Sequence, residues 1–229
     1  MKVALIGATG FVGTALLKEL TDRGHSVTAI ARNPEKLAGT GTGPGAGEGA
    51  GTRSLVRAAA ADILNVESLA GLLKGHDVVV SAYNPGWSDP EIYAHFLAGA
   101  RAIQAAVKRS GVNRLIVIGG AGSLEVAPGV QLIDTPNFPA EYKPGSSAAR
   151  DYLRELRQEK ELEWTYFSPA ILMGPDHPGV RRGQYRLGLE NPVFDPEGKS
   201  MLSVEDLAVA IVDEVEKPKH VRMRFTAGY

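Results

Sequence analysis

The stretch Met1-Lys2-Val3-Ala4-Leu5-Ile6-Gly7-Ala8-Thr9-Gly10-Phe11-Val12-Gly13 decides the fold of this chain. Its residues 3–6 form a short apolar run, typical of a strand buried on both faces of a parallel sheet. Glycines then follow with the spacing GxxGxxG, and an apolar-periodic segment predicts a helix. A strand, a glycine turn and a helix N-terminus form a phosphate site, because backbone N–H groups and the helix dipole favour an anion there. The stretch therefore predicts dinucleotide binding by Gly7, Thr9, Gly10, Phe11, Val12 and Gly13.

The three glycines of this stretch have separate predicted roles. Gly7 permits a tight turn after the strand, Gly10 lets the backbone approach a pyrophosphate, and Gly13 lets the helix pack closely on the strand. Glycines also occur in turns for purely structural reasons. The position directly after an apolar strand and before a helix is what favours dinucleotide binding here.

Composition excludes several classes of function. The chain has 229 residues, a formal net charge of −1 and no cysteine. The near-neutral charge gives no sign of the basic surface that binds nucleic acid. The absence of cysteine excludes disulfides and thiolate catalysis. No apolar run approaches the roughly 20 residues that span a bilayer. We therefore expect a cytoplasmic monomer or homodimer whose partner is a small-molecule acceptor, without nucleic acid, membrane or metal.

Strand and helix patterns alternate along the chain. Strands are predicted at 26–31, 55–60, 77–82, 114–119, 163–168 and 221–226, and helices at 11–23, 66–73, 90–110, 146–160 and 204–216. The alternation predicts a Rossmann-like, doubly wound parallel sheet in three α/β/α layers, with a small C-terminal elaboration. We expect a single domain over 1–229, with an irregular substrate-side region at 170–202.

Glycine stands at every second position from Gly39 to Gly51. A second phosphate loop is one interpretation of this pattern, but no following helix would aim backbone amides at an anion. We instead predict a flexible glycine-rich insertion at 39–53.

The residues that end the second predicted strand indicate the coenzyme. An acidic residue there would bind the ribose hydroxyls of NAD and repel a 2′-phosphate. This strand instead leads into Arg32, whose planar guanidinium suits a phosphate, and Lys36 follows one turn later. Both could also be ordinary surface cations. The pattern favours NADP(H) over NAD(H).

Other strand ends supply further predicted coenzyme contacts. Asp62 and Ile63 follow the third strand, where a side chain can meet the adenine. Ligands of doubly wound sheets cross the carboxyl ends of the strands, which places the following residues at the coenzyme: Ser81, Ala82 and Tyr83 after the fourth strand, and Ser168 and Pro169 after the sixth. Tyr83 has an alternative role, which is to cover the sheet edge.

Catalytic residues are less clearly indicated. A tyrosine with a lysine four positions later can move a proton during hydride transfer, but no tyrosine here has that partner. Ser123, after the fifth strand, is a candidate for orienting a substrate, although a loop serine often bonds its own backbone. Tyr142 is a candidate because it is adjacent to Lys143. His177 could protonate a substrate at neutral pH, or could simply be solvated.

Nearly the whole chain resembles the atypical short-chain dehydrogenase/reductases. The resemblance lies in IGGAGSL at 118–124, WTYFSPA at 164–170, GQYRLG at 183–188 and SVEDLA at 203–208. It is strongest to the NADH-flavin reductase and biliverdin IXβ reductase-like group, often catalogued as NAD-dependent epimerase/dehydratase. The resemblance implies that Ser123 matches the serine that this group pairs with a downstream histidine. No histidine lies between Ser123 and Pro169.

Three functions are compatible with these residues. Without a proton-transfer pair, hydride transfer to a flat conjugated acceptor such as a flavin or quinone is favoured, because solvent can supply the proton. Trp87, Phe138 and Tyr142 could stack on such an acceptor. The alternative is a non-catalytic NADP(H)-binding redox sensor, as the NmrA-like regulators are. The third is an NAD-dependent sugar epimerase or dehydratase, which would need a proton donor.

Overall fold

The computed structural model describes residues 1–37 and 55–229. Its strands are β1 (Lys2–Ile6), β2 (Ser26–Ala31), β3 (Val56–Ala60), β4 (Val78–Ser81), β5 (Arg114–Ile118), β6 (Glu125–Ala127), β7 (Val130–Gln131), β8 (Glu163–Ser168), β9 (Arg186–Gly188) and β10 (Met223–Gly228). The helices are α1 (Phe11–Asp22), α2 (Val66–Leu73), α3 (Ile92–Ser110), α4 (Lys143–Leu156) and α5 (Val204–Glu216).

Eight strands form one sheet in the order β3-β2-β1-β4-β5-β8-β10-β9. All neighbouring pairs are parallel except β9, which runs antiparallel to β10 at the edge. The central strand β1 lies between β2 and β4, with Ile6 in register with both Ile30 and Ser81. Strands β2 and β3 are added on one side of β1, and β4 and β5 on the other. This change in strand order opens a crevice outside the carboxyl end of β1.

Two helical layers cover the sheet. Helices α1 and α5 bury one face through residues such as Leu16, Leu20 and Ile211. Helices α2, α3 and α4 bury the other through residues such as Ile103 and Tyr152. The predicted three-layer α/β/α Rossmann-like fold is confirmed.

Several element boundaries differ from the predictions. Helix α4 begins at Lys143 instead of residue 146, because Pro144 occupies its first turn, where no backbone N–H is needed. The last strand is Met223–Gly228 instead of 221–226. The irregular region 170–202 contains the edge strand β9. The prediction of an insertion at 39–53 lies outside the described residues.

The start of α5 shows how the C-terminal elaboration is attached. Ser203 caps the helix and accepts the backbone N–H of Asp206 at 3.1 Å. The buried Asp206 carboxylate accepts the N–H groups of Arg182 and Gly183 at 2.7 and 2.8 Å and the Tyr229 hydroxyl at 2.5 Å. The segment before β9 is thereby anchored to α5.

Candidate functional site

The glycine turn lies at the crevice where the sheet order reverses. Gly7 has φ +81°, and its N–H donates to the carbonyl oxygen of Ile30 at 3.0 Å. A Cβ atom at Gly7 would lie 2.6 Å from the carbonyl oxygen of Ala82. The turn therefore fits between β2 and the end of β4 only without a side chain.

The N-terminus of α1 opens toward the same crevice. Gly10 is exposed and is the N-cap residue, and no side chain caps the helix. A Cβ atom at Gly13 would lie 2.0 Å from the carbonyl oxygen of Gly7, so the helix and the turn are in close contact. The first-turn N–H groups of a helix have no partner within it and carry partial positive charge. This cradle fits the pyrophosphate of a dinucleotide.

Arg32 and Lys36 lie beyond the end of β2, and both are exposed. Among the described residues, neither forms an ion pair. Their side chains are therefore available for a phosphate. The predicted preference for NADP(H) remains a prediction.

Asp62 and Ile63 follow β3, as predicted. The Asp62 carboxylate is exposed and accepts the backbone N–H of Leu64 at 2.9 Å. Ile63 packs against the core on the face of the sheet that α2, α3 and α4 cover. This arrangement leaves one carboxylate oxygen of Asp62 open to solvent. Contact with an adenine stays a prediction.

Tyr83 packs on α3. Its ring stacks on Phe96 with centroids 6.2 Å apart, and its hydroxyl donates to the carbonyl oxygen of His95 at 3.0 Å. A Cβ atom at Gly99 would lie 2.3 Å from the ring. Burial raises the pKa of Tyr83, although the charge of Arg32 opposes this. The side chain thus packs over the sheet edge, and its contact with a coenzyme stays a prediction.

The backbone beside Tyr83 lies at the crevice outside the end of β1. The N–H of Ala82 donates to the carbonyl oxygen of Ile6 at 2.9 Å. Ser81 is buried at the end of β4. At the end of β8, Ser168 is fully buried and Pro169 follows it. Contacts of these residues with a coenzyme stay predictions.

Two exposed aromatic side chains meet near this crevice. Trp87, in the loop after β4, meets Tyr142 edge to face, with ring centroids 5.2 Å apart. They are 56% and 40% exposed. A Cβ atom at Gly145 would lie 2.8 Å from the Trp87 ring, so the absence of a side chain there seats the indole on α4. Phe138 is half-buried and does not share this contact.

Tyr142 precedes the first turn of α4, and Lys143 is the first helical residue. Ser146 stands four positions after Tyr142 and is buried. Both Tyr142 and Lys143 are exposed. A tyrosine here can contact an acceptor, but its partner one turn later is a serine and cannot supply a positive charge.

Ser123 does not lie on an open surface. It is only 2% exposed. Its carbonyl and hydroxyl oxygens accept hydrogen bonds from Nη1 of Arg224 at 2.9 and 3.0 Å. The Ser123 side chain belongs to a buried polar network beneath the loop, and its role in orienting a substrate stays a prediction.

His177 is exposed, and its backbone N–H donates to the carbonyl oxygen of Gly174 at 2.9 Å. In the part of the chain that the structure describes, its ring has no hydrogen-bond partner. Its proposed protonation of a substrate stays a prediction.

Sequence reasoning missed the role of Arg224. This guanidinium on β10 is 3% exposed and also forms an ion pair with Glu190, which Arg157 binds at 2.9 Å. It joins the loop after β5 to the segment after β9. The sequence does contain a signal for this role, because Arg224 lies between Met223 and Phe225 in a strand that is otherwise mostly apolar.

Neither a metal centre nor a membrane span is found in the described ranges 1–37 and 55–229. No cluster of three or more His, Cys, Asp or Glu side chains could hold a metal ion there. No helix of those ranges has the length and apolar content needed to cross a bilayer.

This chain is similar in sequence and in structure to several known proteins. The chain is 38% identical over 228 residues to the uncharacterised protein YwnB of Bacillus subtilis, covering 99% of this chain and 97% of YwnB. A crystal structure of a candidate epimerase from Bacteroides thetaiotaomicron has a TM-score of 0.86 and 42% identity, covering 100% of this chain and 96% of that chain. A candidate NADH-flavin reductase from Streptococcus pneumoniae has a TM-score of 0.80 and 33% identity, covering 100% and 99%.

The glycine cradle is the feature that connects these similarities to a coenzyme. Residues 7–218 match the family described as NAD(P)H-binding. The match begins at the first glycine of the turn and extends beyond α5. With its Rossmann-like sheet and open helix N-terminus, the chain belongs to this NAD(P)H-binding family and has an oxidoreductase-type fold.

Proposed function

We propose that this chain is an NAD(P)H-dependent reductase of a flat, conjugated acceptor such as a flavin or a quinone, with NADP(H) as the preferred coenzyme. The observation that carries the proposal is the exposed Trp87–Tyr142 pair beside the coenzyme crevice. Exposed aromatic rings at a crevice are suited to stacking on a planar ligand. The similarity to a candidate NADH-flavin reductase supports the same chemistry.

The coenzyme would be held by the backbone of the glycine turn and by Arg32. The N–H groups at the start of α1 would bind the pyrophosphate, and the guanidinium of Arg32, with Lys36 near it, would bind the 2′-phosphate. A bound reduced nicotinamide supplies a hydride. The ends of β4 and β8 would position this ring.

The residues near Tyr142 favour an acceptor that does not need a proton from a protein side chain. Ser146 stands where a lysine would lower the pKa of Tyr142. Water can protonate a reduced flavin or quinone, whereas epimerisation of a sugar carbon requires a placed proton carrier. Tyr142 therefore acts in this proposal through ring contact with the acceptor.

The function is tested by following NADPH and NADH oxidation at the nicotinamide absorbance with FMN, riboflavin and menadione as acceptors. NADPH consumption that depends on an acceptor and exceeds NADH consumption supports the proposal. NADPH binding without consumption for any acceptor contradicts it and instead supports the redox-sensor function.

A further inference from the structure

Three buried polar atoms on the neighbouring strands β8 and β10 are unpaired. They are Oγ of Ser168, Oγ1 of Thr226 and Nε of Arg224, and none has a hydrogen-bond partner within the described residues. Ser168 and Thr226 are fully buried, and Arg224 is 3% exposed. We call these three side chains the buried polar cluster.

The register of the two strands brings the cluster together. Thr226 is paired with Ser168, and Arg224 with Tyr166, in neighbouring parallel strands. Because side chains alternate along a strand, all four share one face of the sheet. Tyr166 identifies that face as the one covered by α2, α3 and α4.

The loop after β5 packs on the strands that carry the cluster, at the carboxyl edge of the sheet where the coenzyme and the acceptor are proposed to bind. The hydroxyl of Tyr166 accepts the N–H of Gly120, and the N–H of Gly119 donates to the carbonyl oxygen of Phe167 at 2.9 Å. These contacts bring the loop after β5 over the end of β8. That end carries Ser168, which with Pro169 is also a predicted coenzyme contact.

Unpaired buried polar atoms are unfavourable, and each one in a native structure calls for a partner. Three in one small patch are hard to explain by packing alone. We infer that the buried polar cluster binds the carbonyl oxygens of the acceptor, an inference that rests on the proposed function.

The chemistry of the three atoms defines the ligand. Each hydroxyl can donate a hydrogen bond, and the guanidinium N–H can only donate. The charges nearby are those of Arg224, Arg157 and Glu190, which sum to one positive charge. The cluster therefore suits oxygens that accept hydrogen bonds and carry partial negative charge, as in a quinone or the dicarbonyl edge of a flavin.

The end of β9 and the residues after it cover part of the cluster. Gly188 is paired with Thr226 in the sheet, and a Cβ atom on Gly188 would lie 3.0 Å from the methyl group of Thr226. Glu190, after β9, binds Arg224. The pair between Glu190 and Arg157 is 43% and 45% exposed, so water competes with it and it contributes little stability. Outward movement of residues 188–190 would open the cluster.

Two substitutions remove the hydroxyls with little change of shape: Ser168→Ala and Thr226→Val. The matched control is Thr165→Val, because Thr165 is fully buried on β8 but its hydroxyl donates to the carbonyl oxygen of His220 at 2.7 Å. Calorimetry measures the Kd of menadione and of riboflavin for each protein saturated with NADP⁺. Thermal unfolding of the ligand-free proteins gives their Tm.

We expect Ser168→Ala and Thr226→Val each to raise the Kd of the carbonyl-bearing probes about three- to tenfold, as loss of one hydrogen bond does. Their Tm should stay unchanged or rise, because no internal bond is lost. Thr165→Val should lower the Tm and leave the Kd unchanged.

Two outcomes overturn the assignment while leaving the proposed function intact. One is an unchanged Kd in both cluster variants when the wild-type protein binds the probes. The other is a fall in their Tm as large as that of Thr165→Val without a change in Kd, which would show that the hydroxyls serve internal bonding. Failure of the wild-type protein to bind either probe would overturn the proposed function as well.

Discussion

The carbonyl oxygen of Gly7 lies 2.0 Å from the position that a Cβ atom would occupy on Gly13. The turn after β1 and the first turn of α1 are therefore in backbone contact. This contact directs the N-terminus of α1 at the crevice beside β4. We predict that coenzyme binding depends on this contact, because it holds the N–H groups at the helix start where they can meet a phosphate.

Gly13→Ala is expected to displace α1 from the turn. A methyl group at this distance forces a backbone shift, and overpacking typically costs roughly 1–3 kcal/mol. We expect the affinity for NADPH, measured by calorimetry, to fall at least about tenfold. The control is Gly71→Ala in α2, where a Cβ atom meets nothing within 4 Å. That change should raise the free energy of unfolding by about 0.5–1 kcal/mol and leave NADPH binding unchanged.

Arg32→Glu is expected to reverse the coenzyme preference. Arg32 is exposed and, within the described ranges, forms no ion pair, so the substitution removes a phosphate ligand without breaking an internal contact. The Kd of NADPH should rise at least about tenfold, and that of NADH should stay the same or fall. Lys74→Glu makes the same charge change on an exposed residue after α2 and should change neither value. Equal weakening of both coenzymes by Arg32→Glu would exclude a specific role toward the 2′-phosphate.

Trp87→Ala is expected to raise the KM for the acceptor. Stacking on an aromatic ring contributes roughly 0.5–1.5 kcal/mol, which corresponds to about a two- to tenfold change. The Kd of NADPH should not change. Phe194→Ala removes another aromatic residue, 44% exposed, and serves as the control. An unchanged acceptor KM in Trp87→Ala would show that the exposed indole has a purely structural role against Tyr142.

His95 is expected to titrate above its ordinary pKa of 6.5. The hydrogen bond from its ring to Asp89, at 2.7 Å, and the charge of Asp89 raise the pKa of His95. The imidazolium thus stabilises the turn that carries Trp87 fully below pH 6.5, and this contribution is lost as pH rises through the raised pKa. An NMR titration should show the raised value in the wild-type protein and a return toward 6.5 in Asp89→Asn. The same value in both proteins would contradict the ion pair.

Local signals explain which parts of the fold could be predicted from sequence. Helices α2 and α5 begin where predicted because Asn65 and Ser203 cap them with side-chain oxygens. Helix α4 has no side-chain cap at Tyr142, so its start could not be placed by a capping residue. The glycine turn was predictable because the strand before it, its three glycines and the helix after it are adjacent in the sequence.

The catalytic assignments were less predictable because they depend on distant residues. Ser123 follows β5 as predicted, but its hydrogen bond comes from Arg224, which lies 101 residues further along the chain. Tyr83 is similarly committed to α3 through Gly99 and the carbonyl oxygen of His95. Burial of this kind follows from tertiary packing, which periodicity and spacing do not reveal.

The central claim is that a bound reduced nicotinamide gives its hydride to a flat acceptor beside Trp87 and Tyr142. It is tested most directly by an anaerobic single-turnover experiment, in which the protein loaded with NADPH is mixed with menadione and both absorbances are followed. We expect loss of one NADPH for each menadione reduced, at a rate well above that of the protein-free reaction and decreased by Gly13→Ala. NADPH that stays reduced in the loaded protein, with menadione and then with riboflavin, would contradict it.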